Sequence, residues 1–218
     1  MESLSVAALA PRDTDRAVLV GQTGCGKTTL AEQLCRLRKY VVILDPKGLI
    51  RWKGYQRYTT LAGVVQAGKK FERIIYAPVY EELVSWRERD GIIDTFFGWV
   101  YDRFNCTLYV DETSAISTAT EWPFWMGACL QRGRERHVET WCATQRPSRI
   151  PAIVFSESEH TYIFKLRMGP DRDKVEDMTG VDEKDIRTLA KHQFIYAPED
   201  GEIIGAPSLG EQPLKLTL

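Results

Sequence analysis

The segment Val18–Leu30, VLVGQTGCGKTTL, decides how the chain is read. An apolar β-forming run, Ala17–Val20, breaks into Gly21-Gln22-Thr23-Gly24-Cys25-Gly26-Lys27-Thr28, which matches G-x-x-x-x-G-K-[ST] at every position. Thr29 and Leu30 continue into a predicted helix over Lys27–Arg38, with Leu30, Leu34 and Leu37 on one face. The chemistry needs these residue types. Glycines let backbone amides curl around phosphates, Lys27 brings a mobile positive charge to the β- and γ-phosphates, and the Thr28 hydroxyl ligates Mg²⁺. Gly21 to Thr29 are therefore the predicted cradle for ATP. A glycine turn that merely joins strand to helix is the bland alternative, and the agreement of motif with context speaks against it.

Outward from this loop, strands and helices alternate, which predicts an α/β fold with a mostly parallel central sheet flanked by helices. Further strands are expected at Tyr40–Leu44, Ile74–Ala77, Thr107–Val110, Glu139–Ala143 and Thr161–Leu166, with a strand pair about the Asp200-Gly201 turn. Helices are expected near Thr60–Ala67, Tyr80–Arg89, Ile92–Phe104, Pro123–Arg136, Asp171–Met178 and Glu183–Ala190. No repeat, low-complexity run or composition shift marks a linker. The predicted organisation is an N-terminal arm, residues 1–16, and a single P-loop ATPase domain, residues 17–218.

Composition narrows the class. With 218 residues, 44% hydrophobic and 27% charged, the chain has the make-up of an ordinary globular domain able to bury a sizeable core. No apolar run approaches the ~18 residues of a membrane span, so no direct membrane insertion is expected. The opening MESLSVAALAPRDTD carries Glu2 and no basic run, unlike a secretory signal. Five cysteines without paired spacing argue for reduced thiols rather than disulfides or zinc. Cys25 sits where helix-terminus amides can lower a thiol pKa, although a small loop filler is the preferred reading. His137, His160 and His192 show no metal spacing and read as structural. The net charge of −1 confines any nucleic-acid contact to local patches or to a surface shared among subunits.

Two further features carry chemistry. TLYVDE, Thr107–Glu112, is a strand ending in two carboxylates. Asp111 suits a Mg²⁺ ligand, often through water, and Glu112 the general base that polarises the attacking water. Asp45, after VVIL, is a competing strand-end acid that either arranges the site or caps its strand. WCATQRPSRIP, Trp141–Pro151, delivers Thr144 and Gln145 at a strand tip, where Gln145 is placed to contact the γ-phosphate or the lytic water.

The order GQTGCGKTT, VVILDPKG, LYVDE, ATQRPS resembles the FtsK–HerA superfamily of hexameric DNA-translocating ATPases. The likeness continues through TYIFKLRMGPDRDKVEDMTG and spans roughly residues 17–197. It is strongest toward the small genome-packaging ATPases of tailless double-stranded DNA viruses with an internal membrane, because no membrane spans, winged helix or N-terminal barrel are expected from a sequence with about sixteen residues before its first strand. The resemblance implies a RecA/FtsK-like P-loop NTPase fold and a homo-oligomeric ring, a hexamer, with ATP and Mg²⁺ at subunit seams. It implies double-stranded DNA and capsid or packaging-vertex proteins as partners, in the host cytoplasm or at the virion packaging vertex. It also implies a positive side chain donated by the neighbouring subunit. Residues 132–149 hold five arginines against two glutamates. Arg132 with Arg134 form one foremost pair of candidates and Lys165 with Arg167 the other. Arg136, Arg146, Arg149 and Arg172 complete the pool, and solvated helix-end charge is the bland reading of each. Ser114–Trp125 is the first candidate pore loop, and Lys47, Arg51, Trp52 and Lys53 form the second. Packing against the core or a neighbour is the competing reading of Trp122, Phe124 and Trp125.

The leading expectation is a motor packaging a viral genome into a preformed capsid. A helicase or conjugation-type DNA pump of the same superfamily is the runner-up. A P-loop nucleotide kinase, with an arginine-rich lid mimicked by QRGRER, is the alternative from another class. A nucleotide-bound structural vertex protein without turnover is the weakest reading, given Lys27, Asp111 and Glu112.

Overall fold

A computed structural model describes residues 6–205; residues 1–5 of the N-terminal arm and residues 206–218 lie outside the described residues. Among the described residues, eight strands form one sheet: β1 (Ala17–Val20), β2 (Val41–Leu44), β3 (Gln56–Tyr58), β4 (Arg73–Tyr76), β5 (Cys106–Asp111), β6 (Val138–Thr144), β7 (His160–Phe164) and β8 (Phe194–Pro198). Their order across the sheet is β3-β4-β2-β5-β6-β1-β7-β8. Strands β1 to β7 pair in parallel, and β8 closes one edge antiparallel to β7. The helices are α1 (Lys27–Arg36), α2 (Leu61–Ala67), α3 (Tyr80–Leu83), α4 (Ile92–Arg103), α5 (Phe124–Arg132), α6 (Ile153–Ser156), α7 (Gly169–Thr179) and α8 (Glu183–Thr188).

A parallel sheet must be covered on both faces, which is why its strands read as continuous apolar runs. In β1, Val18 and Val20 join the core cluster that includes Phe96 and Phe97 of α4 and Leu130 of α5. Ala17 and Leu19 join the opposite cluster with Leu30 and Leu34 of α1 and Trp141 of β6. Of the predicted face of α1, Leu30 and Leu34 are buried, while Leu37 falls just past the helix and is half-buried. Because the seven parallel strands share a direction, their C-terminal tips share one edge of the sheet, where open α/β folds place ligands. Four tips matter there: those of β1, β2, β5 and β6.

Several boundaries differ from the sequence expectation for local reasons. The predicted helix to Arg38 ends at Arg36, with Leu37 as its C-cap. The expected helix Pro123–Arg136 stops at Arg132, and Gly133–Arg136 tightens into a 3₁₀ turn. At Gly133 a Cβ would lie 2.5 Å from the Val138 carbonyl, so the chain turns where only glycine fits. The expected helix Tyr80–Arg89 splits into α3 and a 3₁₀ turn, Val84–Arg87. The expected strand pair about Asp200-Gly201 reduces to β8 and one bridge, Tyr196 to Ile204. Edge strand β3 escaped prediction because its residues are polar and largely exposed. The arm from residue 6 to 16 lies against the sheet: the Tyr162 hydroxyl donates to the Leu9 carbonyl, and Trp141 Nε1 donates to the Asp15 carbonyl at 3.2 Å. Among the described residues, no helix is long and apolar enough to cross a membrane.

Candidate nucleotide-binding site

The loop between β1 and α1 is fastened to both neighbouring strands. Gly21 N donates to the Thr144 carbonyl of β6 at 3.2 Å, and Gln22 N to the Lys165 carbonyl beyond β7 at 2.9 Å. Gly21 admits no side chain, since a Cβ would stand 2.5 Å from Phe164 Cβ and 2.8 Å from Cys25 Sγ. Gly21→Ala is therefore expected to lower stability by about 3 kcal/mol, the scale of overpacking a tight core, readable as a reduced urea midpoint. Gly24 (φ +73°) and Gly26 (φ +115°) hold left-handed conformations that favour glycine. Among the described residues no side chain caps helix α1, which leaves first-turn amides for an anion. Lys27 folds back onto its own loop, its ammonium donating to the Gly21 carbonyl at 2.5 Å and the Gln22 carbonyl at 3.1 Å. Burial pushes its pKa down, against the opposing pull of Cys25, Glu112 and Asp111. Cys25 is buried, and burial raises its thiol pKa despite nearby Lys27. That is opposite to the lowering that helix amides alone would give. It leaves Cys25 a filler.

The acids follow from β5. Asp111 Oδ1 accepts from the Tyr109 hydroxyl at 2.8 Å. Burial lifts the Asp111 pKa, partly offset by the Tyr109 hydrogen bond, with Asp45 adding to the rise. Adjacent residues on a strand point to opposite faces, yet Glu112 turns inward because its backbone is left-handed (φ 80°, ψ 70°). A non-glycine residue in that region costs on the order of 1–3 kcal/mol and persists where surroundings enforce it. Here they do. Glu112 N donates to the Ala143 carbonyl at 3.0 Å. Its Oε1 accepts from the Ser114 hydroxyl (2.6 Å), the Thr144 hydroxyl (3.0 Å) and Gln145 N (3.1 Å), and its Oε2 from Lys47 Nζ (2.7 Å). Burial works to raise the Glu112 pKa. The Lys47 ammonium, the Ser114 hydroxyl and the Gln145 amide outweigh it and hold the group below its ordinary value.

Strand β6 lies between β1 and β5, so its tip spans loop and acid. Thr23 Oγ1 donates to Gln145 Oε1 at 2.6 Å while Gln145 N donates to Glu112. One residue thus touches both the glycine loop and the candidate base. The chain beyond is fixed by Asp171 of α7, which accepts from Arg146 Nε (2.9 Å), Ser148 N (3.1 Å) and Ser148 Oγ (2.6 Å). Sequence reasoning gave Asp171 no role and set Ser114 in a pore loop, whereas its hydroxyl is spent on Glu112 beside the nucleotide cleft. Thr23, Gly24, Gly26, Lys27, Thr28, Thr29, Asp111, Glu112 and Gln145 line one cleft of about 420 Å³, together with Lys47 and His192. Two hard oxygen donors on its wall fit Mg²⁺, the exposed Thr28 hydroxyl and the Asp111 carboxylate. Asp45 near Asp111 is fully buried, and among the described residues its Oδ1 has no hydrogen-bond partner.

The candidate basic groups fall in two places. Arg132 ends α5 and Arg134 lies in the turn after it, at the sheet edge opposite the cleft, where Arg134 pairs with Glu159 at 2.7 Å. Lys165 and Arg167 follow the tip of β7 on the cleft's edge, and with Arg172 and Arg187 they line a basic depression. Arg172 itself is paired with Glu183. The two candidate pore segments also divide. Trp52 is buried and stacks on Tyr109 at 5.8 Å, and Lys47 is engaged by Glu112, so both belong to the nucleotide cleft rather than to an outer loop. Trp122, Phe124 and Trp125 line a separate groove of about 930 Å³ beside α5, with Phe124 57% exposed. His160 bonds Asp15 and Tyr196.

This sheet order, glycine loop and acid-tipped β5 define an α/β P-loop NTPase fold. Solved structures with this fold include the genome-packaging NTPase B204 of Sulfolobus turreted icosahedral virus 2, in complex with sulfate, at TM-score 0.74 and 15% identity over 93% of this chain and 100% of that one. B204 with AMPPCP matches at TM-score 0.71 and 16% identity, over 93% and 100%. The bacterial conjugative coupling protein TrwB matches at TM-score 0.67 and 10% identity, over 98% of this chain and 90% of that one. No protein-family model and no curated protein matches the sequence.

Proposed function

We propose that the chain is an ATP-driven motor that moves double-stranded DNA, and that its task is packaging a viral genome into a preformed capsid. The carrying observation is the tip of β6. Gln145 bonds Thr23 of the phosphate loop and, through its amide, Glu112 of the acidic strand, so loss of a γ-phosphate between them is felt at both. Similarity to B204 over 93% of this chain and the whole of that one supports packaging as the task.

In this reading the loop amides and Lys27 hold the β- and γ-phosphates, and Glu112 takes a proton from the attacking water. Thr28 and Asp111 would hold a Mg²⁺ ion, which would supply charge neutralisation at the phosphates. A neighbouring subunit of a ring, a hexamer, adds a cation to the developing charge. Lys165 and Arg167 suit that task better than Arg132 and Arg134, because they stand on the same sheet edge as the cleft. Phosphate release at the host-cytoplasmic face of a packaging vertex would then be passed to DNA-facing loops.

The test is ATP hydrolysis by the full chain with duplex DNA, with nucleoside monophosphates, and alone. Hydrolysis is expected to rise with DNA only; a response to monophosphates instead would sink the motor in favour of a kinase. The similarity to TrwB supports a second reading, a conjugation-type pump. Transfer of DNA into empty shells, scored as nuclease protection, separates the two.

A further inference from the structure

Lys47 is the second lysine of the cleft, and the backbone around it is built to hold it there. At the tip of β2, Gly48 N donates to the Asp45 carbonyl at 3.1 Å and Ile50 N to Asp45 Oδ2 at 2.8 Å. The turn Asp45-Pro46-Lys47-Gly48 is thus closed twice. Pro46 fixes one backbone angle, and Gly48 takes φ +66°, a conformation that favours glycine. Strand β2 pairs with β5 in the register Leu44 to Val110, which brings this turn beside the acids that follow β5. From it the Lys47 ammonium reaches Glu112 Oε2 at 2.7 Å, while its side chain remains 36% exposed.

The two oxygens of Glu112 are held differently. Oε1 accepts three donors, from Ser114 in the turn after β5, from Thr144 at the end of β6 and from the Gln145 backbone amide just beyond it. Among the described residues, Oε2 is engaged by Lys47 alone, at the end of a flexible four-carbon stem. The lining of the cleft carries Lys27, Lys47 and Arg51 against Asp111 and Glu112, with His192 also on its wall. Arg51 is held by the Gly48 and Ile50 carbonyls, so Lys47 is the cation that a carboxylate of the cleft holds directly. An entering triphosphate brings several negative charges to the point where Lys47 is held by a single carboxylate, and opposite charges a few ångströms apart in a partly dry cleft attract strongly.

We propose that Lys47 is a nucleotide-operated latch on Glu112. In the empty cleft its ammonium covers Oε2. When a terminal phosphate arrives the ammonium transfers to a phosphate oxygen, while the three bonds on Oε1 keep Glu112 in place. Oε2 is then open to the attacking water only when there is a phosphate to attack. Lys47 is in this sense a positioning residue, acting through Glu112. The inference rests on the ATPase reading above and adds to it how the base is withheld from an empty site.

The test is equilibrium binding of AMPPCP and of ADP, with Mg²⁺, to the full chain and to Lys47→Met, Lys47→Arg, Glu112→Gln and the Lys47→Met/Glu112→Gln double variant. Lys47→Met is expected to weaken AMPPCP binding by about tenfold or more and ADP binding by less than about twofold, the scale of one charge-assisted hydrogen bond. Lys47→Arg keeps the charge and should keep the preference for AMPPCP. Glu112→Gln removes the competing carboxylate, so AMPPCP should bind several-fold tighter, and this gain should vanish when Lys47 is also Met. Equal losses for both nucleotides in Lys47→Met, or a Glu112→Gln gain that persists without Lys47, would overturn the latch. Should Lys47→Met fail to fold, absence of any gain in Glu112→Gln overturns it equally. A wild-type chain that binds neither nucleotide removes the ATPase reading and the latch with it. One that binds both, with Lys47→Met indistinguishable, removes the latch alone.

Discussion

Lys27→Ala is expected to reduce ATP hydrolysis by a factor of about 10²–10³, the usual consequence of deleting a preorganised charge that meets developing negative charge. The ammonium is already inside the loop, 2.5 Å from the Gly21 carbonyl, and it is only 7% exposed. No water-borne cation can take its place without entering a buried site. Alanine is the best helix former and stands here at the first position of α1, so the helix itself should persist. An unchanged far-UV spectrum with lost phosphate release is therefore the expected pair of measurements. Turnover within about tenfold of wild type would show that the loop serves structure and not catalysis.

Glu112→Gln is expected to lower kcat by about 10²–10³, the range set by losing a general base, without weakening AMPPCP binding. The change is nearly isosteric. The amide oxygen can still accept from Ser114, Thr144 and Gln145, and its NH₂ would then face Lys47, donor against donor. A stability signature accompanies the kinetic one. The Glu112 pKa is depressed in the folded chain, so its contribution is present above the ordinary carboxylate range and lost as pH falls through the lowered value. Glutamine carries no such dependence, and the stability gap between the two proteins should close in acid. Single-turnover phosphate release at wild-type speed would take the base assignment away from Glu112.

Much of this was legible before any coordinates. The phosphate loop is a local motif, because the geometry it needs is made by glycines adjacent in sequence. Buried parallel strands announce themselves as apolar runs, and Asp111, Glu112 and Gln145 stand at the ends of such runs. What stayed hidden depends on which strand lies beside which. That β6 separates β1 from β5, letting Gln145 touch both Thr23 and Glu112, is a matter of sheet order. The inward turn of Glu112 comes from a left-handed backbone that its residue type does not announce. Lys47 looked like part of a basic outer loop, since nothing within a few residues shows that β2 sits next to β5. Edge strand β3 carries no apolar alternation, and helix periodicity could not show that Gly133 must approach Val138.

The cysteines have a practical consequence for the ring question. All five are buried and free, and burial raises each thiol pKa. Nucleophilic thiolate is thus scarce on the native surface near neutrality. A single cysteine introduced at an exposed position such as Arg167 would carry a maleimide fluorophore or spin probe against a quiet background. Spectroscopic distances between such labels on successive copies could then report whether that edge of one copy approaches the cleft of the next, with no prior stripping of native residues.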